Sequence, residues 1–210
     1  MAGIPVKTDE WGLDAVVAGS QKCFMLPPGL AFVALSERAW EVAGTCRTPR
    51  FYFDLVKARD SLHKGQTPFT PAVNMLQGLD KALELILAEG LENVFARHAK
   101  SARAVRAAMQ ALDLEFFADP AYASNVVTAV TSPAGLDSSK LVKAVLADAD
   151  ILISGGQDEL KGRIFRVAHL GTVTPEEITT TVAAIGKALI SLGHACDPDK
   201  AVAAAEAALA

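Results

Sequence analysis

A single glycine, Gly90, separates two long amphipathic stretches, and each needs a core for its apolar stripe to face. Upstream, Val73, Leu76, Leu79, Leu83 and Ile86 recur at helical spacing, which predicts a helix from Pro71 to about Glu89. Thr70 stands where an N-cap belongs, and Pro71 at the first helical position. Downstream, "LENVFARHAKSARAVRAAMQAL" forms a second amphipathic helix. A residue that disfavours helix between two such stretches places a domain boundary near Gly90.

The patterns on either side differ. Before the long helices, "LDAVVAGS" and "GLAFVALS" are short apolar runs that read as buried strands. Ser36 caps a helix "ERAWEVAG", with Glu37 in its first turn and Gly44 as terminator. "FYFDLVKARDSL" turns helical toward its end, and "GQTPFTP" is a loop. After the long helices, "LEFFA", "NVVTAVTS", "ILISGG" and "IFRVAHLG" read as strands. "DSSKLVKAVLAD" reads as a helix. "TPEEITTTVAAIGKALISLG" is another, with Thr174 as cap, Pro175 first and Glu177 completing a capping box. The expected organisation is an α/β part over 1–90, a small α+β domain over 91–195, and an alanine-rich tail over 196–210, helical or frayed.

The bulk numbers exclude several classes. With 51% hydrophobic and 21% charged residues, the 210-residue chain suits a soluble globular protein. The net charge is −4 and no basic patch stands out, so nucleic acid is not an expected partner. Cys23, Cys46 and Cys196 are odd in number and lack metal spacing, so they read as reduced thiols. His63, His98 and His194 are too dispersed for a metal site, and none is expected. No apolar run is long enough for a membrane span and no apolar leader opens the chain, so the expected location is cytoplasmic.

Three places could carry chemistry. In "GSQKCFMLPPGL", Lys22 follows a strand end of small residues and precedes a stiff apolar turn. Either its amine reaches water, or it is held dry with a depressed pKa and can attack a carbonyl. Arg166 alternates with Phe165 and Val167 on a strand. It is either a solvent-face residue or a fork suited to a carboxylate. Thr67 and Thr70 lie at a helix start, where hydroxyls and free N–H groups favour phosphate, a role compatible with capping. His169 reads as a buried structural histidine.

Taken together, "SQK" followed by "PPGLAF", then "KGQTPFTPAV", then "IFRVAHLG", resemble the class V, fold-type I, pyridoxal-phosphate aminotransferases. The similar branch is the alanine–glyoxylate and serine–pyruvate group. The resemblance covers the chain apart from its alanine-rich end. It implies that residues 1–90 are the latter part of a large cofactor domain with a mostly parallel sheet, followed by a small C-terminal domain. It implies Lys22 as the Schiff-base lysine, Gln21 as a contact to the cofactor phosphate, and Thr67 and Thr70 reaching that phosphate from the other subunit of a homodimer. Arg166 is implied as the clamp on the substrate carboxylate, with a small amino acid and a 2-oxo acid as substrates.

Two positions depart from the family pattern: Ala168, where glycine is common, and Thr172, where an acid is common. Family members also carry an N-terminal part that supplies a phosphate loop, a stacking aromatic and an aspartate for the pyridinium nitrogen. Asp9 and Asp14 lie on the wrong side of the pattern to replace that aspartate. The expectation is a lysine-bearing half that works with a separate N-terminal half and is poorly soluble alone, its sheet edge open. The alternative is a non-catalytic fragment or dimerisation remnant.

Overall fold

The computed structural model describes residues 3–210. The chain divides into two compact units, Pro5–Ala88 and Glu89–Ala210.

In the first unit, β1 (Ala15–Gly19) and β2 (Ala31–Leu35) pair antiparallel, from Ala15 opposite Leu35 to Gly19 opposite Ala31. Residues 20–30 join them without a helix. A parallel pairing needs a crossover of about a dozen or more residues. So short a connection allows only the antiparallel pairing that β1 and β2 make. Helix α1 (Glu37–Thr45) is capped by Ser36 Oγ, which accepts from Ala39 N at 3.1 Å. Gly44 lies inside α1 and does not end it; the chain leaves in extended conformation at Cys46. Helix α2 (Leu55–Leu62) is capped by Asp54, whose carboxylate accepts from Lys57 N.

Helix α3 (Val73–Glu89) begins with the first residue of its apolar stripe, two residues later than the start that the Thr70 and Pro71 cap signals predict. Val73 N–H bonds back to Pro71 O at 3.0 Å, and that tight turn precedes the first helical residue. Thr70 therefore caps no helix. The side of α3 near its start rests on the β1–β2 connection. Met75 packs 3.5 Å from where a Gly29 side chain would begin, and a Cβ on Gly78 would lie 2.9 Å from Leu26 Cδ2.

The second unit opens with α4 (Leu91–Ala111). Then come β3 (Val127–Thr131), α5 (Ser138–Ala149), β4 (Ser154–Gly155), β5 (Ile164–Ala168) and α6 (Pro175–Ser191). The sheet order is β3-β5-β4, antiparallel throughout. Phe165 and Val167 of β5 face a core that includes Val105 and Met109 of α4, Leu141 of α5, and Ile178, Val182 and Ile185 of α6. "LEFFA" makes a single bridge, Phe116 to Val130, in place of a strand, before Pro120 opens a short 3-10 turn. "ILISGG" narrows to the two residues of β4.

Of the two readings of the alanine-rich segment, helical or frayed, the helical one is formed. The segment makes α7 (Pro198–Leu209), capped by Asp197, with Ala201 and Ala205 wholly buried in the same core. Side chains this small let α7 pack closely; where α6 meets it, Gly186 lies against Pro198.

Candidate active site

Buried Ser20 organises the loop that carries Lys22. Its Oγ donates to Pro27 O at 2.8 Å and accepts from Leu30 N at 3.2 Å, while its own N–H bonds to Leu30 O. One side chain thus ties both ends of the loop. Inside it, Met25 N donates to Lys22 O at 2.9 Å, closing a turn, and Met25 takes a left-handed φ of 60°. Cys23 is buried beneath, and the Phe24 and Phe32 rings pack 4.8 Å apart. Apolar residues hold the loop down, and Gln21 and Lys22 are exposed on it. Of the two sequence alternatives for Lys22, this chain shows the amine reaching outward. Lys22 Nζ makes no hydrogen bond or ion pair with the described residues. Gln21 folds back over Gly19, where a Cβ would lie 2.7 Å from its Oε1.

Asp14, just upstream, is committed elsewhere. It accepts from Ser36 Oγ at 2.7 Å and from Arg38 Nε at 3.0 Å, and the Arg38 hydrogen bond holds its carboxyl below the usual range. Thr67 and Thr70 share a second loop of the same unit. Thr67 Oγ1 donates to Phe69 O at 2.6 Å and lines an open hollow of about 550 Å³ with Leu62, Gln66 and Pro71. Thr70 is exposed, and its hydroxyl makes no hydrogen bond to the described residues.

Arg166 belongs to the second unit. It sits on the central strand, opposite Ala129 on one side and Ser154 on the other, and is half-buried. Its Nε donates to Gly155 O at 3.0 Å, while Nη1 and Nη2 make no hydrogen bond to the described residues. The strand continues into a clamp on Gly171. Gly171 N donates to His98 Nε2 at 3.1 Å, Arg97 Nη1 donates to Gly171 O, and Arg97 pairs with Glu89 at 2.7 Å. Accepting at Nε2 puts the His98 proton on Nδ1, which bonds Val94 O at 2.7 Å. Burial pushes the His98 pKa down, which favours the neutral ring. Sequence reading missed this clamp because its members are scattered along the chain. It also missed the Gly155 carbonyl, although the Gly155-Gly156 pair was visible. A separate cavity of about 460 Å³, where α6 begins beside Ile151 and Val173, contains none of these residues. Among the described residues, no three or more His, Cys, Asp or Glu side chains gather as a metal site, and no helix is long and apolar enough to cross a membrane.

In the first unit, the uncommitted Lys22 amine on its pinned turn has the chemistry to take an aldehyde; in the second, taken by itself, the open terminal nitrogens of Arg166 have the chemistry to take a carboxylate. The family described as Aminotransferase class-V matches residues 1–173, and the chain belongs to that family. It is 46% identical to the soluble hydrogenase small subunit of a Synechococcus species, over 100% of this chain and 54% of that protein. It is 40% identical to the L-aspartate–glyoxylate aminotransferase of Paracoccus denitrificans, over 95% of this chain and 51% of that one. The solved pyridoxamine-pyruvate aminotransferase from Mesorhizobium loti superposes with a TM-score of 0.94 at 34% identity, covering 99% of this chain and 54% of that one. The chain thus spans about half the length of the curated relatives it matches, and its mixed α/β fold is that of about half a fold-type I aminotransferase.

Proposed function

We propose that this chain is the lysine-bearing half of a pyridoxal-phosphate aminotransferase. It would pass the amino group of a small amino acid, of the alanine or serine type, to a 2-oxo acid such as glyoxylate or pyruvate. The observation that carries the reading is the uncommitted Lys22 amine on a turn tied at both ends by Ser20. When bound, pyridoxal phosphate supplies an electron sink for the substrate Cα–H bond. Lys22 Nζ holds the cofactor and then moves the proton at the substrate Cα. Gln21, Thr67 and Thr70 hold the phosphate, the two threonines acting across a homodimer or across a complex with the other half. Thr70 is free for this because it does not cap α3. Arg166 binds the carboxylate through its terminal nitrogens.

The test is chemical trapping. The chain is incubated with pyridoxal phosphate, alone and mixed with the unmatched half of the Paracoccus relative. It is then reduced with borohydride, digested and weighed by mass spectrometry. A cofactor adduct on the peptide containing Lys22, absent in Lys22→Ala, is expected in the mixture and weakly or not at all in the chain alone. No adduct at Lys22 in either sample sinks the proposal. The second reading, a non-catalytic association remnant, is favoured by the exposed Phe51, Tyr52 and Phe53 and is the conclusion in that event.

A further inference from the structure

We infer that the Gly155-Gly156 pair positions Arg166 and fixes which edge of its guanidinium meets a carboxylate; this rests on the carboxylate role proposed for Arg166. A guanidinium offers two bidentate edges, one using Nε–H with a terminal N–H, the other using both terminal nitrogens. In this chain Nε–H is bonded to Gly155 O at 3.0 Å. The side edge is therefore taken, and the end edge, Nη1 with Nη2, is the one left to grip a ligand.

The carbonyl of Gly155 is held in place by the residue that follows it. Gly156 N donates to Ile164 O at 3.0 Å. A Cβ on Gly156 would lie 2.0 Å from Leu160 O, 2.5 Å from Leu160 C and 2.9 Å from Ile164 Cγ1. Two of those atoms are backbone, so no rotamer change relieves the clash. Nor can the loop give easily. Leu160 N bonds to Gln157 O at 2.8 Å, and Arg163 N bonds to Leu160 O at 3.0 Å, closing a short 3-10 turn. Asp158 within it already sits at a left-handed φ of 47°. Any side chain at 156 must displace the backbone that presents the Gly155 carbonyl. At Gly155 itself there is room: a Cβ would meet only Val142 Cγ2, at 4.0 Å. The two neighbouring glycines therefore make a matched pair of probes.

The experiment uses the full chain with ¹⁵N-labelled arginine. The Arg166 side-chain resonances are assigned by their loss in Arg166→Lys. The Arg166 Nε–H should exchange slowly with solvent in the unsubstituted chain and in Gly155→Ala, and about tenfold or more faster in Gly156→Ala. Pyruvate, used as the carboxylate probe without cofactor, should shift the Arg166 Nη signals. Its apparent Kd should be about tenfold weaker in Gly156→Ala, the loss of about one net hydrogen bond, and within about twofold of the parent in Gly155→Ala. If pyruvate moves no Nη signal in the unsubstituted chain, the carboxylate role of Arg166 falls and the inference with it. If pyruvate binds but Gly156→Ala keeps a slow Nε–H and the parent affinity, the positioning inference alone is overturned. Should Gly156→Ala not fold, the unsubstituted chain decides: a fast-exchanging Nε–H overturns the inference, and a protected one upholds it.

Discussion

His169 is 1% exposed, and its Nε2 lies 2.9 Å from Thr128 Oγ1. Burial, with Arg106 and His98 nearby, pushes its pKa down from 6.5 to about 4. The unfolded chain therefore takes up this proton near pH 6.5 while the folded chain refuses it until about pH 4. Between those values the unfolded state binds more protons, so stability falls as the pH drops. The full span corresponds to about 3 kcal/mol from this one group. His98, also pushed down chiefly by burial, adds in the same direction. Denaturant melts from pH 7 to 4 should lose stability steadily. His169→Gln, which keeps a polar end for Thr128, should show a shallower loss. An unchanged slope would remove His169 as a source of acid sensitivity.

Helix α6 illustrates how an element's ends and its packed face obey different rules. At its start Thr174 Oγ1 accepts from Glu177 N at 3.2 Å, and Glu177 Oε2 accepts from Thr174 N at 2.7 Å. Thr174→Ala should cost about 1 kcal/mol in urea unfolding, whereas a loss under a few tenths would mean the box adds nothing. Further along, Gly186 breaks the propensity rule. In an open helix Gly→Ala stabilises by up to about 1 kcal/mol. Here a Cβ would sit 2.8 Å from Pro198 Cβ and 3.1 Å from its Cα, at the start of α7. Gly186→Ala should therefore destabilise by about 1–3 kcal/mol. A rise in Tm would show that α7 can move aside without loss.

At the scale of the whole molecule, the conspicuous feature is exposed apolar surface in the first unit. Phe53 is 86% exposed, Phe51 75%, Leu62 71% and Val17 69%. Tyr52 stacks on Phe69 at 4.8 Å, and Lys57 Nζ lies 4.6 Å from the Phe69 ring centroid, so this is an ordered group of rings. Monomeric proteins seldom leave a group of large rings such as Phe51, Tyr52 and Phe53 in water. The chain alone should sediment as associated species, and a Phe51→Ser, Phe53→Ser double variant should shift it toward monomer. A monodisperse parent that melts cooperatively would contradict this.

Much of the architecture was legible along the chain. The apolar period placed the long helices, and Ser36 and Thr174 announced helix starts through local side-chain chemistry. The lysine segment could be read because its constraints are local: small residues at a strand end, then two prolines and a glycine. Where a feature depended on distant partners, the sequence reading failed or left alternatives open. The start of α3 moved past Thr70 because a turn at Pro71 intervened, and the choice between a helical and a frayed alanine-rich end fell to the helix α7 because its alanines fit a surface made by α4 and α6. The sequence by itself determined the helical periods, the Ser36 and Thr174 caps, the lysine loop and the membership of the family, because these lie in neighbouring residues. Only the tertiary structure decided the antiparallel pairing of β1 with β2, the clamp of His98 and Arg97 on Gly171, and the carbonyl that orients Arg166. Those depend on groups far apart in sequence, brought within hydrogen-bond reach when the chain folds.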